Sequence, residues 1–94
     1  MPTYILLKNV TEEGAERLKT HPKWIVESDV ELEKLGINIT AQYAVIGPYD
    51  FVTIVEAPDN RTMVQASTKL SMHGNVKITT LPALPLEDFI AALR

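Results

Sequence analysis

Tyr49 and Asp50 set a phenol beside a carboxylate in the segment Ile46-Gly47-Pro48-Tyr49-Asp50-Phe51. Such a pair can bind a polar ligand or move a proton if it stands at the mouth of a pocket. The same residues have a purely structural use. An Asp in a Gly-Pro turn bonds back to neighbouring backbone N–H groups, and a Tyr beside it packs over the turn; ordinary turn chemistry is the reading these residue types favour.

A second polar set is Thr40, Gln42, Thr53, Lys77 and Thr79. Period-two counting brings these side chains to one face of a sheet, where they either line a cavity between subunits or form a solvated edge. The candidate small-molecule site read from the sequence is accordingly Gly47, Tyr49, Asp50, Gln42, Thr53 and Lys77. His21 and His73 are the two histidines, and no His-x-x-x-His, His-x-His or spaced carboxylate companion accompanies either, so no metal site is expected. His21 precedes a proline. His73 precedes Gly74 at a helix end, where an imidazolium suits the negative end of the dipole. No Gly-rich phosphate loop, Ser-His-Asp order or nucleophile elbow is present, and neither a catalytic set nor a cofactor is expected.

The elements that must position these residues follow from hydrophobic patterning. Thr3 to Lys8 reads as a strand with Tyr4 and Leu6 on one face and Ile5 and Leu7 on the other. Thr11 is a helix N-cap followed by Glu12 and Glu13 in the first turn. Pro22 breaks the helix and starts a second segment that runs to about Leu35 and ends at Gly36. Trp24 is expected to cover the core at the break, while Glu27 and Glu31 lie outside. Ile37 to Ile46 alternates, which predicts Ile37, Ile39, Ala41, Tyr43 and Val45 against the helices and Gln42 on the other face. Phe51 to Glu56 is apolar on both sides and reads as a central strand. Asp59 or Asn60 caps a helix with Met63, Ala66 and Leu70 on its stripe, ending at Gly74. Val76 to Leu81 is the last strand, closed by Pro82. Leu86, Phe89, Ile90 and Leu93 then mark a short amphipathic helix that needs a surface to sit on.

Strand-helix-strand, a hairpin turn at Gly47-Pro48, then strand-helix-strand is the order of an α+β ferredoxin-like βαββαβ domain. Its four-stranded antiparallel sheet carries helices on one face, with the first and third strands central. Two helices cover only one face of a sheet whose central strands are apolar on both. A second copy packed sheet to sheet, giving a dimeric α/β barrel, is the simplest cover.

Bulk properties agree with one small folded domain. The 94 residues are 46% hydrophobic and 22% charged, ordinary globular usage that argues against disorder. A chain of this size buries roughly 60–65% of its unfolded surface when alone, which favours a partner subunit. The net charge of −3 is spread without a basic stripe, so nucleic acid is not an expected partner. Cysteine is absent, which removes disulfides and thiol chemistry. The N-terminal apolar run is too short for a signal peptide or membrane span, and a cytoplasmic protein without a membrane partner is expected.

Several segments resemble one family in order and spacing: Tyr4-Ile5-Leu6-Leu7, the break at Pro22, Glu33-Lys34-Leu35-Gly36, Gly47-Pro48-Tyr49-Asp50-Phe51, Val55-Glu56-Ala57-Pro58-Asp59, Gly74-Asn75-Val76 and Glu87-Asp88-Phe89. Together they are similar to the small bacterial GYD-domain proteins over nearly the whole chain. The resemblance implies a ferredoxin-like oligomeric domain of unassigned biochemical role. The turn before the central strand also looks like that of the effector-binding domains of leucine-responsive regulators, a likeness of fold. The function expected is a non-catalytic homo-oligomeric module that binds a small ligand or a partner. The alternative, by analogy with other dimeric α/β barrels, is a cofactor-independent isomerase or monooxygenase using Tyr49, Asp50, His73 and Lys77. That alternative requires at least two of the four to line one cavity.

Overall fold

A computed structural model describes all 94 residues. The elements in chain order are β1 (Thr3–Val10), α1 (Glu12–Thr20), α2 (Trp24–Lys34), β2 (Asn38–Ala44), β3 (Phe51–Glu56), α3 (Asn60–Met72), β4 (Val76–Ala83) and α4 (Leu86–Ala92). The sheet is antiparallel throughout in the order β2-β3-β1-β4, so β1 and β3 are central as expected. Strand β4 continues through Pro82 rather than ending there. It is an edge strand, where a residue without an N–H costs no ladder bond on the outer side.

Local chemistry fixes the helix ends. Thr11 accepts the Gly14 N–H at 3.1 Å and Asp59 accepts the Thr62 N–H at 2.8 Å, each satisfying an orphan donor of the first turn. The bonds that Asp59 accepts from the Thr62 backbone and hydroxyl hold its carboxyl below the usual carboxylate range. Pro22 separates α1 from α2, and Trp24 is the first residue of α2 and is buried.

The core lies between the sheet and α2 and α3. Tyr4, Leu6 and Val55 from the central strands meet Leu32, Met63, Ala66 and Leu70 from the helices. The Tyr4 hydroxyl donates to Asn60 Oδ1 at 2.6 Å, which leaves the ring in the core and its polar end satisfied. Helix α4 has no buried residue and no appreciable packing against the other elements.

Strand β2 departs from simple alternation. Its register with β3 shifts between Ile39 and Ala41, the mark of a bulge. Ile39 pairs with Val55 and faces the helices, but beyond the shift Gln42 pairs with Thr53 and Tyr43 with Val52. The phase is thereby reversed. Tyr43, expected in the core, is 59% exposed, and Gln42 and Thr53, expected on the open face, point under the helices. Thr53 is fully buried.

Gly14 is a packing requirement that the hydrophobic pattern does not reveal. A Cβ there would stand 2.1 Å from the Asn75 carbonyl oxygen and 2.5 Å from Val10 Cγ1. The backbone of Thr11 donates to that same Asn75 carbonyl at 3.0 Å, locking α1 to the α3–β4 loop. Gly14→Ala is therefore expected to destabilise the fold by about 1–3 kcal/mol despite the better helix propensity of alanine. Urea unfolding at fixed pH checks this, and an unchanged or raised midpoint would contradict the close approach.

Candidate functional site

The six residues singled out from the sequence do not form one site. Gly47 is exposed at the hairpin turn, with φ +135°, a conformation suited to glycine. Asp50 uses Oδ2 to accept the Val10 N–H at 2.8 Å, while its own N–H donates to the Lys8 carbonyl at 2.9 Å. These bonds stitch the start of β3 to the end of β1, so the carboxylate has a structural use, but across two strands rather than back onto the N–H groups of its own turn. Tyr49 is half-buried beside it. Lys77 is exposed and pairs in register with Asn9 on the open face. Gln42 and Thr53 do come together, but under the helices.

There they belong to a partly buried hydrogen-bond chain. The Thr53 hydroxyl donates to Gln42 Oε1 at 2.7 Å, and Gln42 Nε2 donates to Asp29 Oδ2 at 2.9 Å. Asp29, on the inner side of α2, is buried, and its Oδ1 has no partner. Lys8 lies on the same side of the sheet and is only 5% exposed. Desolvation pushes its ammonium below the usual lysine range, and the nearby charge of Asp29 only partly offsets this.

Lys8 lines a cavity of about 350 Å³ between the α1–α2 break and the sheet. That volume is at the lower end of the range typical of small-molecule sites. Trp24, Ile25, Phe51, Leu70 and Val76 supply apolar walls; Lys8, Arg17, Glu27 and Glu31 supply charge. Both histidines border it. His21 Nε2 donates to Glu27 Oε2 at 2.6 Å and His73 Nε2 to Glu31 Oε1 at 2.7 Å. Glu27 and Glu31, expected on the outer surface of α2, thus help to line this cavity. No three metal-binding side chains converge anywhere in the chain. Of Tyr49, Asp50, His73 and Lys77, only His73 lines the cavity, so the acid–base constellation required by the enzymatic alternative is not assembled there.

The second surface feature is the face of the sheet away from the helices. Register places Ile5, Ile54 and Leu81 in one row and Leu7, Val52 and Thr79 in the next, with Tyr43 beyond Val52 on β2. No helix of this chain covers them, and Leu81 and Tyr43 are among its exposed large apolar side chains. Helix α4 exposes Leu86, Phe89, Ile90 and Leu93. No helix is long and apolar enough to cross a membrane.

The state of Lys8 makes a pH-dependent prediction. Its folded-state pKa lies below the ordinary 10.5, so between the two values the unfolded chain binds more protons and stability rises with pH. Below the folded value both states are protonated, and the cost of burying the charge is fully present. Urea unfolding of wild type and Lys8→Met is therefore expected to give a stability difference that moves in favour of the wild type as the pH rises through the lowered folded-state pKa toward 10.5. A difference independent of pH would show that the ammonium is solvated in the folded state.

Comparison with known proteins gives these features a family. The sequence model of the GYD domain matches residues 4–93. The chain is 48% identical over 95 residues, covering 100% of both sequences, to a protein of Thermus thermophilus named "Glutamine synthetase and cystathionine beta-lyase binding protein". Among solved structures it is similar to TTHA0845, also from Thermus thermophilus, with TM-score 0.63 and 26% identity over 90% of this chain and 95% of the other. It also shares its fold with FFRP-DM1, at TM-score 0.55 and 21% identity, over 89% of this chain and 100% of that one. The matched span takes in every strand and helix from β1 to α4, and the chain belongs to the GYD-domain family.

Proposed function

We propose that this protein is a non-catalytic interaction module that pairs with a second copy of itself through the open sheet face and uses the projecting α4 to engage a metabolic enzyme. The observation that carries this reading is the uncovered apolar face of the two central strands, Ile5 and Leu7 on β1 with Val52 and Ile54 on β3. Fully burying an aliphatic side chain is worth about 1.5–3 kcal/mol, and these half-exposed ones forfeit part of that in a lone chain. Because the face is the same on every copy, pairing two of them gives a closed two-fold assembly rather than an open chain.

The partner-binding part is supported by the relative of 48% identity whose name describes binding to glutamine synthetase and cystathionine beta-lyase. Helix α4 suits such a task. Its apolar residues recur at the first, fourth, fifth and eighth positions, the pattern of an amphipathic helix laid into a groove.

Sedimentation velocity tests the assembly and surface-immobilised glutamine synthetase tests the docking. Wild type is expected to sediment as a dimer or larger at micromolar concentration, and Ile54→Lys, which places a charge in the centre of the face, as a folded monomer. Removal of the residues after Pro85 is expected to leave the dimer intact and to abolish enzyme binding. A monomeric wild type would remove the self-association, and undiminished binding by the truncated chain would remove the role of α4.

A further inference from the structure

The cavity under the helices leaves buried polar groups without partners inside the chain. The Lys8 ammonium enters no ion pair with a carboxylate, although the residue is only 5% exposed. Trp24 Nε1 and Glu31 Oε2 are buried and unbonded, and all three residues line the same cavity. Folded proteins pair the great majority of such groups, because an unmade bond in a dry site costs the full desolvation of the group. Two unbonded buried groups and one lysine without an ion pair, all on residues that line one cavity, indicate by complementarity what would fill it.

Lys8 and the indole N–H of Trp24 are donors, one of them cationic, and together they match an anionic acceptor with two oxygens. Glu31 Oε2 is an acceptor and calls for a donor nearby. Ile25, Phe51 and Leu70 form the apolar wall. A phosphate or sulfate would satisfy the donors but would meet the carboxylates of Glu27 and Glu31 across the same cavity. A bare cation would meet Lys8 and Arg17. We propose that this cavity binds a small carboxylic acid that has an apolar body and carries an amino or hydroxyl group, with the carboxylate held by Lys8 and Trp24 and the amino or hydroxyl group turned to Glu31. The site is on the opposite side of the sheet from the open face, so it holds whether or not two copies pair.

Trp24 is the sole tryptophan of the chain and reports directly on occupancy through its fluorescence. The full-length protein is titrated with L-leucine, L-phenylalanine, L-3-phenyllactate, hydrocinnamate, which lacks the donor, and L-phenylalaninamide, which lacks the carboxylate. Saturable changes in Trp24 emission are expected with the amino or hydroxy acids. Binding is expected to be weaker by about tenfold or more for the amide, because a charge-assisted bond is lost. Glu31→Gln is expected to reduce the preference for phenyllactate over hydrocinnamate while leaving hydrocinnamate binding unchanged. Lys8→Met, with its fold checked by circular dichroism, is expected to lose the response to every acid. The proposal is overturned if no acid changes the emission at millimolar concentration, which would leave ordered water as the only occupant, or if acid and amide respond equally.

Discussion

Strand β2 meets β3 with one residue too many between Ile39 and Ala41, and the chemistry of both sheet faces follows from that shift. Without it, Gln42 would stand on the outer face and Tyr43 under the helices. With it, an amide replaces a phenol beneath α2, within reach of Asp29 on one side and Thr53 on the other. A bulge interrupts a ladder and bends the strand, a local cost offset here by the hydrogen bonds that the half-buried Gln42 makes to the buried Thr53 and Asp29. The same shift sends Tyr43 to the open face, next to Val52 and away from the polar interior.

The two sides of the sheet therefore have opposite characters. The covered side is not uniformly apolar: beside the cluster of Leu6, Leu32, Val55 and Met63 lies a polar region with a buried lysine, a buried aspartate and a cavity bordered by two His–Glu pairs. Burial of Lys8 without a direct partner is unfavourable for the free protein, and features of that kind are more often kept for binding than for stability. The uncovered side is apolar along both central strands, which suits association with another protein surface. One small chain thus presents an apolar face and, separately, a polar cleft under the helices.

Much of the fold was legible in the sequence because each break in pattern has a local cause. Thr11 and Asp59 cap helices, Pro22 divides one, and Gly47-Pro48 with Asp50 turns the hairpin; all act within a few residues of themselves or across one strand pair. The resemblance to the GYD family rested on those same punctuating segments. The candidate site was less legible. The bulge leaves no compositional mark, so period-two counting carried Gln42 and Tyr43 to the wrong faces. Lys8 reads as the polar end of a strand, yet β1 continues to Val10 and the α1–α2 break roofs it over. Glu27 and Glu31 sit in an acid-rich helix that looks solvated. Only their pairing with His21 and His73, residues distant in the sequence or across the helix break, turns them toward the cavity. Gly14 has no signal of its own, because its requirement comes from the Asn75 carbonyl on a loop far along the chain.

Tyr43 reports on both halves of this account, since it is on the open face only if the register shift is real and is covered only if copies pair. Hydroxyl-radical footprinting across a dilution series measures its accessibility, with the exposed Met72 of α3 as an internal reference on the opposite side. The account predicts strong labelling of Tyr43 at high dilution and progressive protection as concentration rises, while Met72 stays constant. Labelling of Tyr43 that is equal at all concentrations, or absent even in dilute solution, would contradict it.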